Sequence, residues 1–217
     1  AIQLDMTPFS NDDPTGTSWT DDNTDKWDGT LLIGRTYSDH SAGLHITPTA
    51  RGGVAPGEWI DVVVNVGAFS SNRAPTLELS AATNASGLNT DLVFTAGATD
   101  ALAYEWDFGL PKNIYTQSLN QARVTNRWST AGEYVVRCVA SDMKGGRASA
   151  ALVVRIGSPS GIYRIEGLVL SNGVPVEGVR VHTSHTNWTL TASDGRYALV
   201  NMKSVSNNVR AHKQGHA

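Results

Sequence analysis

Leu102-Ala-Tyr-Glu-Trp-Asp-Phe-Gly109 is the stretch on which the fold turns. Leu102, Tyr104, Trp106 and Phe108 alternate with Ala103, Glu105 and Asp107. A period of two places a nearly all-aromatic face on one side of a strand and a polar face on the other. A second run, Thr130-Ala-Gly-Glu-Tyr-Val-Val-Arg-Cys-Val-Ala-Ser-Asp142, answers it. There Tyr134, Val136, Cys138 and Ala140 form one face, and Val135, Arg137 and Val139 the other. Two such strands supply the inner faces of a small β-sandwich.

Three ordered motifs extend this reading: Tyr104-Glu-Trp-Asp-Phe-Gly109, Ser129-Thr-Ala-Gly-Glu-Tyr-Val-Val136 and Ala140-Ser-Asp-Met-Lys-Gly-Gly146. Together, over roughly one domain length, they resemble a PKD (polycystic-kidney-disease repeat) domain. The resemblance implies an immunoglobulin-like β-sandwich with Trp106 in its core.

Outward from this centre the chain keeps its β character. Its 217 residues suffice for two or three small β modules, and 21 glycines with 17% charged residues suit turn-rich strands better than helices. The segments Leu31–Tyr37, Gly43–Thr47 and Trp59–Val66 read as strands, with Ile60, Val62, Val64 and Val66 on one face of the last. Ser10 to Gly29 is polar and acid-rich and reads as a loop. Linkers fall at Gly67–Pro75 and Gly157–Gly161. We therefore expect an all-β chain of three serial β-sandwich modules, over residues 1–70, 71–157 and 162–217.

The flanking segments carry resemblances of their own. Leu4-Asp-Met-Thr-Pro8, Gly34-Arg-Thr-Tyr-Ser-Asp39, Gly43-Leu-His-Ile-Thr-Pro48 and Asp61–Gly67 resemble the β region that follows the catalytic domain of gametolysin-like secreted zinc metalloproteases. This implies an origin in a protease and supplies no active site. Tyr163–Leu170, Gly173–Val181 and Leu190–Leu199 resemble a carboxypeptidase regulatory-like (transthyretin-like) domain. Asp194-Gly195 gives a hairpin signal there. That family continues for another strand or two beyond Gln214–Ala217, so the last module is expected to be incomplete, with a sticky edge.

A search for catalysis finds none. No His-Glu-x-x-His is present to hold zinc, and Gly157-Ser-Pro-Ser-Gly161 has Pro159 where a nucleophile elbow needs serine. Cys138, the one cysteine, falls on an apolar strand face and is expected to be buried and inert. A net charge of −3 and a pI of 6.1 argue against nucleic acid, and no apolar run is long enough for a membrane helix. His45 is expected off the apolar face or hydrogen-bonded, and His182 and His185, three apart on a strand, on opposite faces.

Acidic loops and tryptophans remain. Asp21, Asn23 and Asp25 give alternate oxygen ligands of the kind Ca²⁺ takes, although Lys26 and Leu32 exclude an EF-hand. The PKD resemblance implies a second calcium site of Asn72, Asp100 and Asp142, with a shorter acidic loop than that family carries. Trp128 and Trp188 are candidates for stacking on a ligand. Asn84-Ala-Ser and Asn187-Trp-Thr are glycosylation sequons where the host performs that chemistry.

The expected function is a non-catalytic extracellular accessory region of a secreted metalloprotease, acting as spacer and binding module for a protein or polysaccharide surface. A structural stalk or filament subunit, self-associating by strand addition at exposed β edges, is the alternative.

Overall fold

The computed structural model describes residues 31–109, 119–161, 163–184, 186–203 and 207–213. Among them every regular element is a β-strand, so the fold class is all-β. The acidic candidates Asp21, Asn23 and Asp25, together with the Ser10–Gly29 loop, lie outside the described residues, as do His185 and His216.

The first sheet has three antiparallel strands in sequence order, β1 (Tyr37–Asp39), β2 (Leu44–Gly52) and β3 (Trp59–Val66). Leu31–Tyr37, expected as a strand, is one only from Tyr37 onward. Gly34 breaks it at φ +87°, where a Cβ would sit 1.9 Å from the Tyr104 carbonyl oxygen. Gly34 N–H instead donates to Pro48 O at 2.8 Å, and Arg35 N–H to Leu32 O at 3.0 Å. The segment is a strap laid across the neighbouring sheet.

The middle of the chain forms two layers. One is the antiparallel sheet of β4 (Thr76–Ala81), β6 (Leu92–Thr99) and β8 (Arg123–Asn126) in the order β4-β6-β8. The other has the order β5-β10-β9-β7, built from β5 (Ala85–Ser86), β7 (Ala103–Asp107), β9 (Gly132–Ser141) and β10 (Arg147–Ile156). Even-numbered residues of β7, β9 and β10 point inward, as the alternation requires. Trp106, Val136, Cys138 and Val154 are buried against Phe94, Val124 and Trp128. The aromatic rings touch in series: Trp106 stacks on Phe108 at 6.0 Å, and Trp128 meets Phe108 edge-on at 6.2 Å. Each buried ring contributes about 1.5–3 kcal/mol by leaving water. The expected aromatic face is shorter than read. Leu102 precedes β7 and is 60% exposed, because Asp100 at φ +59° turns the chain there.

The last sixty residues pack three small sheets around Val179, Val181, Leu199 and Met202. These are β11 (Tyr163–Leu168) with β16 (Arg196–Met202), β12 (Leu170–Ser171) with β13 (Val174–Pro175), and β14 (Arg180–His182) between β15 (Trp188–Leu190) and β17 (Arg210–His212). Asp194-Gly195 makes its tight turn: Gly195 N–H donates to Ala192 O at 2.8 Å, and Asp194 Oδ1 accepts Arg196 N–H at 2.9 Å. The hairpin read from it does not extend. β15 pairs with β14 and β16 with β11, so the turn passes the chain from one sheet to another.

Candidate functional site

The outward face of the four-stranded sheet, made of odd-numbered residues, is where the described side chains of greatest chemical interest meet. Alternation predicts a polar face on β7, which Glu105 and Asp107 supply, while Val135, Val139 and Val153 make the rest of the face mixed, and the face is covered. Ala103 is fully buried, and Glu133, Ser141 and Ser149 are below 9% exposed. Both flanking modules lie on this one face.

The Gly34 strap of the first module crosses β7. Arg35 Nε donates to Glu105 Oε1 at 3.0 Å, and its Nη2 reaches the same oxygen. Thr36 Oγ1 lies 2.8 Å from both Thr47 Oγ1 and Ser141 Oγ, linking three elements through hydroxyls.

The third module covers β9 and β10 with one glutamate at the centre. Glu177 Oε1 accepts Arg147 Nη2 at 2.8 Å, Ser149 Oγ at 2.7 Å and Arg137 Nη2 at 3.4 Å, while Oε2 accepts Ser193 Oγ at 3.0 Å. Burial pushes the Glu177 carboxyl up, but Arg147, Ser149 and Arg137 together hold it below the ordinary value of 4.5. Burial lowers the Arg137 guanidinium and Glu177 partly restores it. At the end of β9, Arg164 makes a two-pronged contact with Glu133, Nε to Oε2 at 3.0 Å and Nη2 to Oε1 at 2.7 Å, and this hydrogen bonding raises the guanidinium. The Asn201 side chain clamps the Glu133 backbone in both directions, accepting from its N–H at 2.7 Å and donating to its C=O at 2.8 Å.

Between β9, β10 and the third module is a cavity of about 260 Å³ whose lining includes Val135, Ala151, Arg164, Glu166 and Tyr197. It is smaller than the ~300–1,000 Å³ of ordinary ligand pockets. Two of its charged groups, Arg164 and Glu166, are bonded to each other at 2.8 Å. It is a packing gap at a joint.

Two of the expected calcium ligands meet at the turn after β9, Asp142 from the turn itself and Asn72 from the segment between β3 and β4. Asp142 Oδ1 accepts Lys144 N–H at 2.7 Å and Gly146 N–H at 3.0 Å, and Oδ2 accepts Asn72 Nδ2 at 2.6 Å. The same Asn72 amide donates to Lys144 O at 3.2 Å, and Asn65 Nδ2 of β3 to Met143 O at 2.8 Å. Gly146 is required here, since a Cβ would sit 2.1 Å from Asp142 Oδ2. Asn72 and Asp142 thus converge, as implied. The structure gives Asp142 N–H partners, and the Asn72 amide presents nitrogen where a metal would need oxygen. As arranged, this donor set does not fit a calcium ion. Asp100 is exposed at the end of β6. Among the described residues no three of His, Cys, Asp and Glu converge as a metal's ligands would.

The tryptophan candidates fall differently. Trp128 is 2% exposed, packed on Phe94 and Tyr134 with its Nε1 donating to Phe108 O at 3.2 Å. It offers no ring face to a ligand, and the expectation of a stacking residue is corrected to a core residue. Trp188 is half-buried, with the Arg180 guanidinium 4.6 Å from its ring centroid. His45 is hydrogen-bonded to Ser38 Oγ at 2.9 Å but buried, wedged between His40 and Phe69. Cys138 is buried as expected, and burial pushes its thiol up to about 12.

The residues that reading by sequence missed are Arg35, Glu105, Glu133, Arg137, Asn201 and Glu177. One signal was available. Arg137 stands between Val135 and Val139 on the outward face, and an arginine set among valines marks a face that something covers.

Comparison with known proteins bears on the middle module. Residues 76–155 match the family model of the PKD domain, and the resemblance read from the three motifs is shown there. Among solved structures, the PKD1 domain of the Vibrio cholerae metalloprotease PrtV is 22% identical, over 40% of this chain and all of that one, with a TM-score of 0.32. The PKD1 domain of Vibrio anguillarum Epp is 23% identical, over 41% of this chain and 99% of that one, with a TM-score of 0.32. A β-sandwich carbohydrate-binding module is 14% identical, over 62% of this chain and 87% of that one, with a TM-score of 0.36. No curated protein matches the chain.

Proposed function

We propose that this chain is a non-catalytic extracellular accessory region of a secreted metalloprotease, in which a PKD-type sandwich holds two flanking β modules in fixed orientation. The observation that carries this reading is the covered outward face of the middle sheet. Its titratable groups are spent on Arg35, Glu177 and Arg164 of the neighbouring modules. A face used in this way transmits position. A rigid spacer raises the local concentration of a tethered catalytic domain at a protein or polysaccharide surface.

Retention of the purified chain on insoluble collagen, chitin and cellulose, combined with small-angle scattering, tests the proposal. We expect retention on one of these surfaces and a single compact scattering envelope. Absence of retention together with a broad distribution of envelopes would refute both halves.

Calcium is part of the same proposal, at Asn72, Asp100 and Asp142 and at Asp21, Asn23 and Asp25. The residue types suit the ion once Asn72 turns its oxygen inward. Comparing melting in millimolar Ca²⁺ and in EDTA tests both sites, and equal melting temperatures would remove them.

A further inference from the structure

Of the asparagines in this chain only Asn172 is followed by glycine. The pair forms the tip of the β12–β13 hairpin, with Asn172 at φ +52° and Gly173 at φ +82°. Positive φ at both central residues marks a type I′ turn, for which Asn-Gly is the preferred pair. Both residues are exposed, and no described atom beyond the chain neighbours lies within 4 Å of where a Gly173 Cβ would sit. The hairpin is short, its register being Leu170↔Pro175 and Ser171↔Val174. At the next rung Val176 N–H donates to Val169 O at 3.1 Å, but Val169 sends its own N–H to Gly195 O at 2.9 Å. A regular antiparallel pair would exchange two hydrogen bonds there. A two-stranded ribbon of this length is marginal by itself and opens readily. It also leads straight into the joint: Val176 O accepts Thr191 Oγ1 at 2.6 Å, and the following residue is Glu177.

We propose that Asn172-Gly173 is a site of spontaneous backbone rearrangement whose product loosens the Glu177 joint. When the turn opens, the Gly173 backbone nitrogen attacks Asn172 Cγ. The N–Cγ bond forms, the Cγ–Nδ2 bond breaks, and Nδ2 leaves as ammonia with the proton that Gly173 N gives up. Glycine favours this step because it has no Cβ to crowd its nitrogen. Water then opens the cyclic imide. Opening at Cγ leaves aspartate, which the turn accepts. Opening at the backbone carbonyl leaves isoaspartate, with the chain routed through the former side chain and longer by a methylene. The turn sets the register of its strands, so the added atom shifts Val174 to Val176 relative to Val169. Glu177 is thereby drawn away from Arg137, Arg147 and Ser149. The inference rests on the proposed role of that joint in holding the third module.

The test ages the full chain in mildly alkaline buffer and follows it by peptide mass and by enzymatic methylation of isoaspartyl carboxylates. Isoaspartate should accumulate in the peptide carrying residue 172 ahead of every other asparagine. Asn172→Gly, which keeps the turn, should lose that signal and, after ageing, unfold as the fresh natural chain does. The aged natural chain should unfold its third module at lower urea, as Glu177→Ala does. Asn172→Asp, with the new charge on the old backbone, should match the fresh chain. Absence of isoaspartate at residue 172 overturns the proposal. So does its presence with an unshifted third module while Glu177→Ala shifts it. A loss in fresh Asn172→Asp equal to that of the aged chain overturns the backbone route, since charge alone would then suffice. If neither ageing nor Glu177→Ala shifts the third module, the joint itself has failed and this inference falls with it.

Discussion

Two surfaces of this molecule invert the usual rule of polar outside and apolar inside. The outward face of β7, β9 and β10 carries Glu105, Arg137, Arg147 and Ser149, and neighbouring modules cover it. β3 carries Ile60, Val62, Val64 and Val66, and it stands in solvent. On the first surface, desolvation of each charge is offset by a partner placed within hydrogen-bond distance. On the second, nothing among the described residues offsets the exposed apolar area. The difference separates a finished joint from an open one. Charged residues are tolerated under cover when ion-pair partners accompany them, even with Arg137 Nε left without a hydrogen bond, whereas the exposed valines of β3 have no counterpart among the described residues.

Removing the centre of the finished joint should have the largest effect. Glu177→Ala leaves Arg137, with side-chain exposure of only 11%, facing Arg147 without its ion-pair partner from the third module. Breaking a partly buried pair from one side costs about 3–5 kcal/mol. Chemical denaturation should show the third module melting separately and earlier, with the PKD-type core unaffected. Replacing Arg137 by Met in the same chain should restore much of the loss. If Glu177→Ala melts in one unchanged transition, the joint is not the determinant of orientation claimed for it.

Acid should reproduce part of that effect without mutation. The Glu177 carboxyl is depressed in the folded chain, so its contribution is fully present above the ordinary glutamate value of 4.5. It is lost as the pH falls through the lowered folded value. Denaturation measured at pH 7 and below pH 4 should therefore show the third module losing stability first. Glu177→Gln should flatten that dependence.

Asn72→Asp addresses the turn. It sets a second carboxylate near the Asp142 Oδ2 that now accepts an amide at 2.6 Å. In EDTA we expect a loss of about 1–3 kcal/mol from the lost hydrogen bond and the like charges. Millimolar calcium should recover it, since two carboxylates form a better oxygen set than one with an amide. Failure to recover would show that the site is a hydrogen-bonded lock alone.

How far these features could be read beforehand depended on whether they were local. Alternation through Tyr104, Trp106 and Phe108 fixed both the sandwich and the inward side of β7, because a period of two needs no knowledge of neighbours. Asn72 and Asp142 were legible only through the family resemblance, and their chemistry was not. An amide presents oxygen or nitrogen according to its partners, and the partners of Asn72, Asp142 Oδ2 and the Lys144 carbonyl, are placed by a turn with left-handed Met143 and Gly145. Glu177 was invisible for a stronger reason. Its partners Arg137, Arg147 and Ser149 lie 28 to 40 residues earlier in the chain, in another module, and no local period reports such a distance. Trp128 was misread because a tryptophan beside a turn looks the same in sequence whether its ring folds inward or outward.

The smallest effect on stability should come from the open surface, and that smallness is the sharpest form of the comparison. Val62→Thr keeps the β-branched shape and strand propensity while adding a hydroxyl to a side chain already 46% exposed. Such a surface change should stay within about 0.5 kcal/mol when urea unfolding of the variant is set beside that of the natural chain. A loss well above that would mean that the face of β3 is packed against something, and that the contrast with the covered sheet is smaller than its exposed valines suggest.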